Sequence, residues 1–260
     1  MTMQAFGVQL DMEWENKPAN FERVRSLLDA QDVPSNSLIV LPEMFATGFS
    51  MNLTDIHEPE TGQTAAFLRE IAQEKNSYCV GGCVGMGNDA KGRNQALCFD
   101  PSGAEVARYT KMHPFTFGGE TKHYTPGDEI NLFKWGEFTV APFICYDLRF
   151  PEIFRHATRM GANVFLVIAC WPQAREAHWM LLLRARAIEN QAYIIGVNRF
   201  GSDPKLQYSG RSQIIDPMGN ILTDGKNHET IINAKLDFEQ LTQYRNDFPV
   251  LQDMRIEYKR

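Results

Sequence analysis

Cys145 is the residue of this sequence whose surroundings point most clearly to chemistry. It ends the apolar run "FTVAPFIC", and charged residues follow it in "YDLRFPE". The next segment, "PEIFRHATRMG", begins like a helix with a proline in its first turn. Backbone amides at such a strand-to-helix turn can lower the pKa of a thiol and stabilise an oxyanion. Cys145 is therefore a candidate nucleophile, and a buried structural cysteine is the alternative.

Three further charged residues stand where they could share a site with this thiol. Glu43 directly follows the apolar run "SLIVLP", and Lys111 directly follows "VARYT". Ligands of open α/β sheets bind at the carboxyl ends of strands. The segment after Lys111 is rich in glycine and aromatic residues, as loops that line pockets can be, and it carries Glu120. Taken alone, each of the three is more simply a solvated surface residue.

The elements that would position these residues alternate between strands and helices. Apolar runs rich in Val, Ile and Phe predict strands that are in part buried on both faces, and these runs lie at 3–10, 37–43, 77–86, 94–100, 137–147, 163–171 and 192–198. Apolar stripes of helical period predict helices at 19–31, 64–75 and 175–191. Pro-x-Gly turns in "DPSG" and "DPMG" predict two hairpins, which favours mixed sheets.

No low-complexity linker and no repeat of fixed period divides the chain. We therefore predict one α/β domain over residues 1–260. The C-terminal segment, about 240–260, is too rich in apolar and aromatic residues for disorder. We expect it to pack on the core or on a partner subunit.

Composition and charge narrow the class of partner. The net charge is −6 and no basic run occurs, which argues against nucleic acid and anionic membranes as partners. The sequence shows neither a signal peptide nor a long apolar window, so we expect a cytoplasmic protein outside the membrane. The five cysteines are an odd number and lie in apolar runs, which predicts reduced thiols. Cys79 and Cys83 lack a second ligand pair, so we expect no zinc site.

Three segments resemble, in order and spacing, the signature of the nitrilase superfamily, the carbon–nitrogen hydrolases. They are "LPEMF" around Glu43, "YTKMH" around Lys111 and "ICYDLRFPE" around Cys145. The similarity extends over nearly the whole chain, including "WMLLLRARAIENQAYIIGVNR" and "DPMGN". The resemblance implies a four-layer αββα sandwich of two mixed sheets in a single domain. It also implies dimerisation through helices, so we expect a homodimer.

The resemblance also implies a role for each matched residue. Cys145 matches the nucleophile, and Glu43 matches the base that activates it. Lys111 matches the lysine that stabilises the oxyanion, helped by the backbone N–H of Tyr146. Glu120 matches a second glutamate that holds Lys111 or the substrate. Neither a metal nor an organic cofactor is implied. A catalytically silent relative that binds a metabolite or a partner is the rival class, and nothing in the sequence favours it.

Within the superfamily, the segment "WPQAREAHW" looks most like the omega-amidase branch. Members of that branch hydrolyse the terminal amide of 2-oxoglutaramate or 2-oxosuccinamate. Trp171 and Arg175 are then candidate substrate-binding residues, because a guanidinium suits a carboxylate. Arg175 as the start of the following helix fits equally well. Phe117, with Phe115, either narrows the pocket or belongs to the core. Other small amides, N-carbamoyl compounds and nitriles are alternative substrates.

Arg149 could also bind a substrate carboxylate. An internal ion pair between Arg149 and Asp147 is the interpretation we favour, because a charged turn beside a buried site must satisfy its own charges.

Overall fold

Two six-stranded mixed sheets form the centre of the molecule in a computed structural model that describes residues 2–255. The first sheet contains β1 (Thr2–Gln9), β2 (Leu38–Val40), β3 (Tyr78–Met86), β4 (Gly92–Phe99), β5 (Glu105–Thr110) and β14 (Thr230–Asp237). The second contains β6 (Phe133–Trp135), β7 (Phe138–Ile144), β8 (Val164–Ala169), β9 (Tyr193–Asn198), β12 (Gln213–Ile215) and β13 (Ile221–Asp224). A separate two-stranded hairpin consists of β10 (Phe200–Ser202) and β11 (Gln207–Ser209).

The two sheets have related strand orders. They are β14-β1-β2-β3-β4-β5 and β13-β12-β9-β8-β7-β6. In each sheet three central strands run parallel, β1-β2-β3 and β7-β8-β9, while the flanking strands are antiparallel. The parallel strands of each sheet therefore bring their carboxyl ends to the same edge.

The helices of the described chain are α1 (Lys17–Asp29), α2 (Leu53–Ile56), α3 (Gln63–Glu74), α4 (Glu120–His123), α5 (Pro151–Arg159), α6 (Glu176–Asn190) and α7 (Phe238–Asp247). Short 3-10 turns lie at Thr116–Gly118, Cys145–Arg149, Gln173–Arg175 and Val250–Asp253. None of the helices within residues 2–255 has the length and apolar character needed to cross a membrane.

Successive side chains along a strand point to opposite faces of the sheet, so they pack in two different hydrophobic cores. Leu38 and Val40 of β2 lie in the core that the two sheets share. Ile39, between them, faces the other way and packs in a cluster with Leu28 of α1 and Leu68 of α3. Helices α5 and α6 cover the outer face of the second sheet. The result is the αββα sandwich of two mixed sheets that the resemblance implied, and that prediction is confirmed.

The predicted strands and hairpins are found in the structure, with local differences in their bounds. Each predicted strand overlaps an observed one, and both predicted hairpins form, as β4-β5 and β12-β13. The run 37–43 yields only the three-residue strand β2, because the chain turns away after it. Strand β14 is an addition, since its sequence "TIINAKLD" mixes apolar and polar residues without a long apolar run.

The C-terminal segment contacts the end of α6. Leu241 of α7 is buried. Arg245 Nε donates a hydrogen bond to the backbone oxygen of Gln191 at 2.9 Å, and Gln191 Nε2 donates to the backbone oxygen of Phe248 at 2.7 Å. The described part of this segment, residues 240–255, therefore packs against the core through these contacts. The remainder of the predicted segment, 256–260, lies outside the described residues.

Candidate active site

Charged residues from separate strand ends meet in the interior. Lys111 follows β5, Glu43 follows β2, and Glu120 begins α4. Lys111 Nζ lies 2.9 Å from Glu43 Oε1. It also lies 2.8 Å from Glu120 Oε2 and 3.1 Å from Glu120 Oε1. One ammonium therefore bridges two carboxylates that are far apart in sequence.

Asn94 on β4 joins the same two carboxylates from another side. Its Nδ2 donates to Glu43 Oε1 at 2.7 Å and to Glu120 Oε1 at 2.9 Å. Asn94 was not predictable from the sequence, because one asparagine at the start of an apolar run carries no signal of its own. A polar residue predicted to face inward from a buried strand would have been the only clue.

Because this cluster is buried, its charges interact strongly with one another. Glu43, Lys111 and Glu120 are all buried. Burial disfavours the ammonium of Lys111, but the charges of Glu120 and Glu43 outweigh it and raise the pKa of Lys111 well above its usual value. Lys111 therefore stays protonated and offers a fixed positive charge in a place where water cannot screen it.

Backbone geometry positions Glu43 from two directions. Its Oε2 accepts a hydrogen bond from the backbone N–H of Cys170, which follows β8, at 2.7 Å. On the other side, β3 passes so close that a Cβ on Gly82 would lie 2.3 Å from the Met44 nitrogen and 2.7 Å from the Glu43 Cα. Only glycine allows this approach, because neither contact is with a flexible side chain.

Cys145 occupies the first position of a tight turn at the end of β7. Its φ is +49°, and it is 9% exposed. Burial raises the pKa of the Cys145 thiol well above its usual value; the charge of Glu43 raises it further, while Lys111 acts in the opposite direction. The turn was expected to lower this pKa. Burial outweighs that effect, so the resting thiol is protonated and needs a base.

Asp147 does not pair with Arg149, so the ion pair we favoured is wrong. Asp147 is buried and accepts hydrogen bonds from Tyr109 Oη at 2.8 Å and from Ile144 N at 3.0 Å. His113 donates its backbone N–H at 3.0 Å, and its Nδ1 lies 2.8 Å from the same carboxylate. Asp147 therefore ties the Cys145 turn to the segment that follows Lys111.

Arg149 instead faces a cavity beside Cys145. Its guanidinium lies 4.6 Å from the centre of the Trp171 ring, and Nη2 lies 3.2 Å from His178 Nδ1. The cavity encloses about 410 Å³, counting its open mouth. Its lining is largely apolar and aromatic apart from the thiols and two guanidiniums, and comprises Phe49, Phe115, Cys145, Tyr146, Arg149, Cys170, Trp171, Pro172, Arg175, Leu206 and Tyr208.

The second guanidinium belongs to Arg175, which directly precedes α6 and also lines the cavity. Substrate binding and a position at the start of the helix, the two roles considered for Arg175, are thus compatible. Its guanidinium lies 5.4 Å from the centre of the Phe115 ring. Within residues 2–255, neither Arg149 nor Arg175 forms an ion pair with a carboxylate. Burial lowers the pKa of Arg149, and the nearby positive charge of Arg175 lowers it further.

The other candidate substrate-binding residues divide between the cavity and the surface. Tyr146 and Trp171 line the cavity, and the Trp171 indole donates to the backbone oxygen of Arg175 at 2.8 Å. Phe117 is 86% exposed and is not part of the lining. Phe115 takes that place, and the exposed Phe117 ring packs beside it with the ring centres 5.9 Å apart.

A thiol that lines a cavity, with a buried carboxylate and a buried ammonium close enough to shift its pKa, indicates a class of protein: hydrolases that attack an unsaturated carbon through cysteine. A family model described as "Carbon-nitrogen hydrolase" matches residues 7–246. The chain is 36% identical to "Omega-amidase YafV" of Yersinia enterocolitica over 97% of this chain and 96% of that protein. It is 31% identical to "2-oxoglutaramate amidase" of Bacillus subtilis, covering 95% of this chain and 96% of that one.

Solved structures agree with these sequence matches. A CN-hydrolase superfamily protein from Xanthomonas campestris, determined with an arsenic adduct in its active site, superimposes with a TM-score of 0.93. It is 30% identical, and the match covers 100% of both chains. This chain therefore belongs to the carbon–nitrogen hydrolase family.

Proposed function

We propose that this enzyme is an omega-amidase that hydrolyses the terminal amide of 2-oxoglutaramate or 2-oxosuccinamate to the acid and ammonia. The observation that carries the proposal is that two guanidiniums, Arg149 and Arg175, line the same cavity as Cys145 and form no ion pair with a carboxylate of residues 2–255. A guanidinium binds a carboxylate through two parallel hydrogen bonds. A small amide with a carboxylate at its far end suits this cavity, because the carboxylate binds the guanidiniums while the amide faces Cys145.

The same charges explain why a 2-oxo acid is preferred to an amino acid. Glutamine and asparagine carry an α-ammonium beside the carboxylate, and two guanidiniums would repel it. A 2-oxo group is neutral and accepts hydrogen bonds. The names of the Yersinia and Bacillus relatives are consistent with this substrate class.

The first half of the proposed reaction forms a thioester. Glu43 takes the proton of Cys145, and the thiolate attacks the amide carbon. The oxygen of the tetrahedral intermediate is stabilised by Lys111 and by the backbone N–H of Tyr146. Glu43 then gives its proton to the leaving nitrogen, the C–N bond breaks, and ammonia departs.

The second half releases the acid. Glu43 takes a proton from water, the hydroxide attacks the thioester carbon, and the C–S bond breaks with return of the proton to Cys145. Glu120 does not take part in proton transfer in this scheme. It holds Lys111 in place and accepts the backbone N–H of Phe115 at 2.5 Å, which links the cation to the cavity wall.

Ammonia release from matched amides tests this substrate class. Wild type should hydrolyse 2-oxoglutaramate at least about tenfold more efficiently than 4-oxopentanamide, in which methyl replaces the carboxylate. Arg175→Lys should lower kcat/KM for 2-oxoglutaramate about tenfold and leave 4-oxopentanamide unaffected. Arg159→Lys, on the outer helix α5, is the control and should change neither. Equal activity of wild type on both amides would exclude carboxylate recognition.

We also propose that the enzyme works as a homodimer in the cytoplasm. Exposed apolar side chains on and beside α6, among them Leu181, Ile188 and Phe248, support a helix-mediated contact between two copies. All five cysteines are free thiols, which suits a reducing compartment. Sedimentation equilibrium should give twice the mass of the chain, and Leu181→Glu should reduce it to one chain. A wild-type protein that sediments as a single chain would contradict the dimer.

A further inference from the structure

Asn94 acts on the proposed base although it touches no cavity surface. We propose that Asn94 is a positioning residue that holds Glu43 and Glu120 in one arrangement and leaves Oε2 of Glu43 as the oxygen that exchanges protons. This inference rests on the proposed role of Glu43 as the base. It deepens that role by naming the oxygen and the side chain that selects it.

The selection follows from the hydrogen bonds on each oxygen of Glu43. A carboxylate oxygen has two acceptor positions. Oε1 has both filled, by Lys111 Nζ at 2.9 Å and by Asn94 Nδ2 at 2.7 Å. One of the two acceptor positions of Oε2 is filled, by the backbone N–H of Cys170 at 2.7 Å. Oε2 therefore keeps one position open for the proton of Cys145.

Asn94 also keeps two like charges together. The second hydrogen of its Nδ2 goes to Glu120 Oε1 at 2.9 Å, so one amide group spans both carboxylates. Asn94 is 1% exposed, so bulk water cannot replace it as the donor. Without it, Lys111 alone would oppose the repulsion between Glu43 and Glu120.

The orientation of the amide is determined by this arrangement. Asn94 Oδ1 is buried and has no hydrogen-bond partner among the described residues. The reverse orientation would direct Oδ1 at two carboxylate oxygens, which is repulsive. An unsatisfied buried acceptor is unfavourable, so its presence here is consistent with a requirement for the two donated hydrogen bonds.

The ionisable groups around Glu43 come from every neighbouring element. They are Lys111 after β5, Glu120 in α4, Tyr124 after α4, and the thiols of Cys145 and Cys170. Within the described residues, Asn94 is the neutral side chain that donates to the carboxylate of Glu43. It can therefore be replaced while all of these groups stay in place.

The test uses two matched variants on β4. Asn94→Asp converts the donor to a third carboxylate beside Glu43 and Glu120. Gln95→Glu makes the same chemical change on the next residue, whose Nε2 bonds Thr110 Oγ1 at 3.1 Å and whose Oε1 accepts from Arg108 at 3.1 Å. Alternation along the strand places the two side chains on opposite faces. Asn94→Leu removes the donor without adding charge and serves if the aspartate variant does not fold.

Two pH profiles are measured for each variant: kcat/KM for 2-oxoglutaramate, and the rate of Cys145 alkylation by iodoacetamide, mapped by peptide mass. Asn94→Asp and Asn94→Leu should lower kcat/KM about a hundredfold. The acid limb of both profiles should move about one pH unit upward, because a carboxylate that loses a donor binds its proton more tightly. Gln95→Glu should keep the wild-type profiles.

A uniform loss of rate with unmoved acid limbs would overturn the proposal, since a purely structural residue changes the fraction of folded enzyme at every pH alike. The alkylation profile needs no amide substrate. If wild type hydrolysed neither 2-oxoglutaramate nor 2-oxosuccinamate, the proposed substrate would fail, and the acid limb of the alkylation profile would still decide the role of Asn94.

Discussion

Replacing Cys145 by alanine is expected to lower ammonia release from 2-oxoglutaramate by at least about a thousandfold, the scale seen when a nucleophile is removed. The protein should stay folded, because alanine removes one sulfur atom and meets the same positive φ as cysteine. The thermal midpoint by circular dichroism and the ammonia rate, measured on the same preparation, test both statements.

Cys170→Ala is the matched control for this experiment. Cys170 lines the same cavity. Alanine preserves the backbone N–H that donates to Glu43 Oε2, and it removes the weak thiol hydrogen bond to the Glu43 backbone oxygen at 3.3 Å. The control should therefore retain activity within about tenfold of wild type, as expected when neither nucleophile nor base is removed. If the two alanine variants lost activity equally, Cys145 would not be the nucleophile.

Lys111→Met is expected to reduce both activity and stability. The variant loses the cation that faces the developing oxyanion, for which a loss of about 100- to 1,000-fold in kcat is typical. It also leaves Glu43 and Glu120 as two buried carboxylates without their shared ammonium. Breaking a buried ion pair in this way lowers the free energy of unfolding by about 3–5 kcal/mol. Urea denaturation and steady-state kinetics measure the two losses.

A double variant separates these effects. Lys111→Met combined with Glu120→Gln removes one of the two repelling charges, so part of the lost stability should return. Activity should not return, because no cation stabilises the oxyanion. If the rate recovered together with stability, Lys111 would be a structural residue and its catalytic role would be excluded.

The sequence predicted the parts of this protein that local pattern encodes. The αββα sandwich followed from a resemblance carried by the segments around Glu43, Lys111 and Cys145. Glu43 and Lys111 follow strand-like runs and Cys145 ends one, and strands that run in the same direction bring their carboxyl ends to one edge of a sheet. Their meeting was a reasonable expectation from topology.

Features that depend on side-chain direction were not predictable in this way. Asp147 and Arg149 are neighbours in the sequence, but Asp147 turns toward Tyr109 and His113 because the end of β5 supplies donors there. Phe115 and Phe117 lie two residues apart with their rings in contact, yet Phe115 lines the cavity and Phe117 is exposed. Tertiary contacts decided both outcomes.

The pKa of Cys145 illustrates a competition that sequence cannot resolve. Amides at the turn favour the thiolate, while burial and the nearby Glu43 favour the thiol. Which effect is larger depends on how deeply the residue lies. The role of Asn94 was not predictable for a related reason, because its importance comes from the two carboxylates that surround it.

Partition between water and hydroxylamine distinguishes a thioester on Cys145 from direct attack of water on the amide. Hydroxylamine captures an acyl-enzyme as a hydroxamate in competition with hydrolysis. The enzyme is given 2-oxoglutaramate and, separately, the ester of the same acid at the same carbonyl. A shared thioester predicts the same ratio of hydroxamate to acid from both. A ratio that changes with the leaving group, or acid without any hydroxamate, would contradict a covalent intermediate.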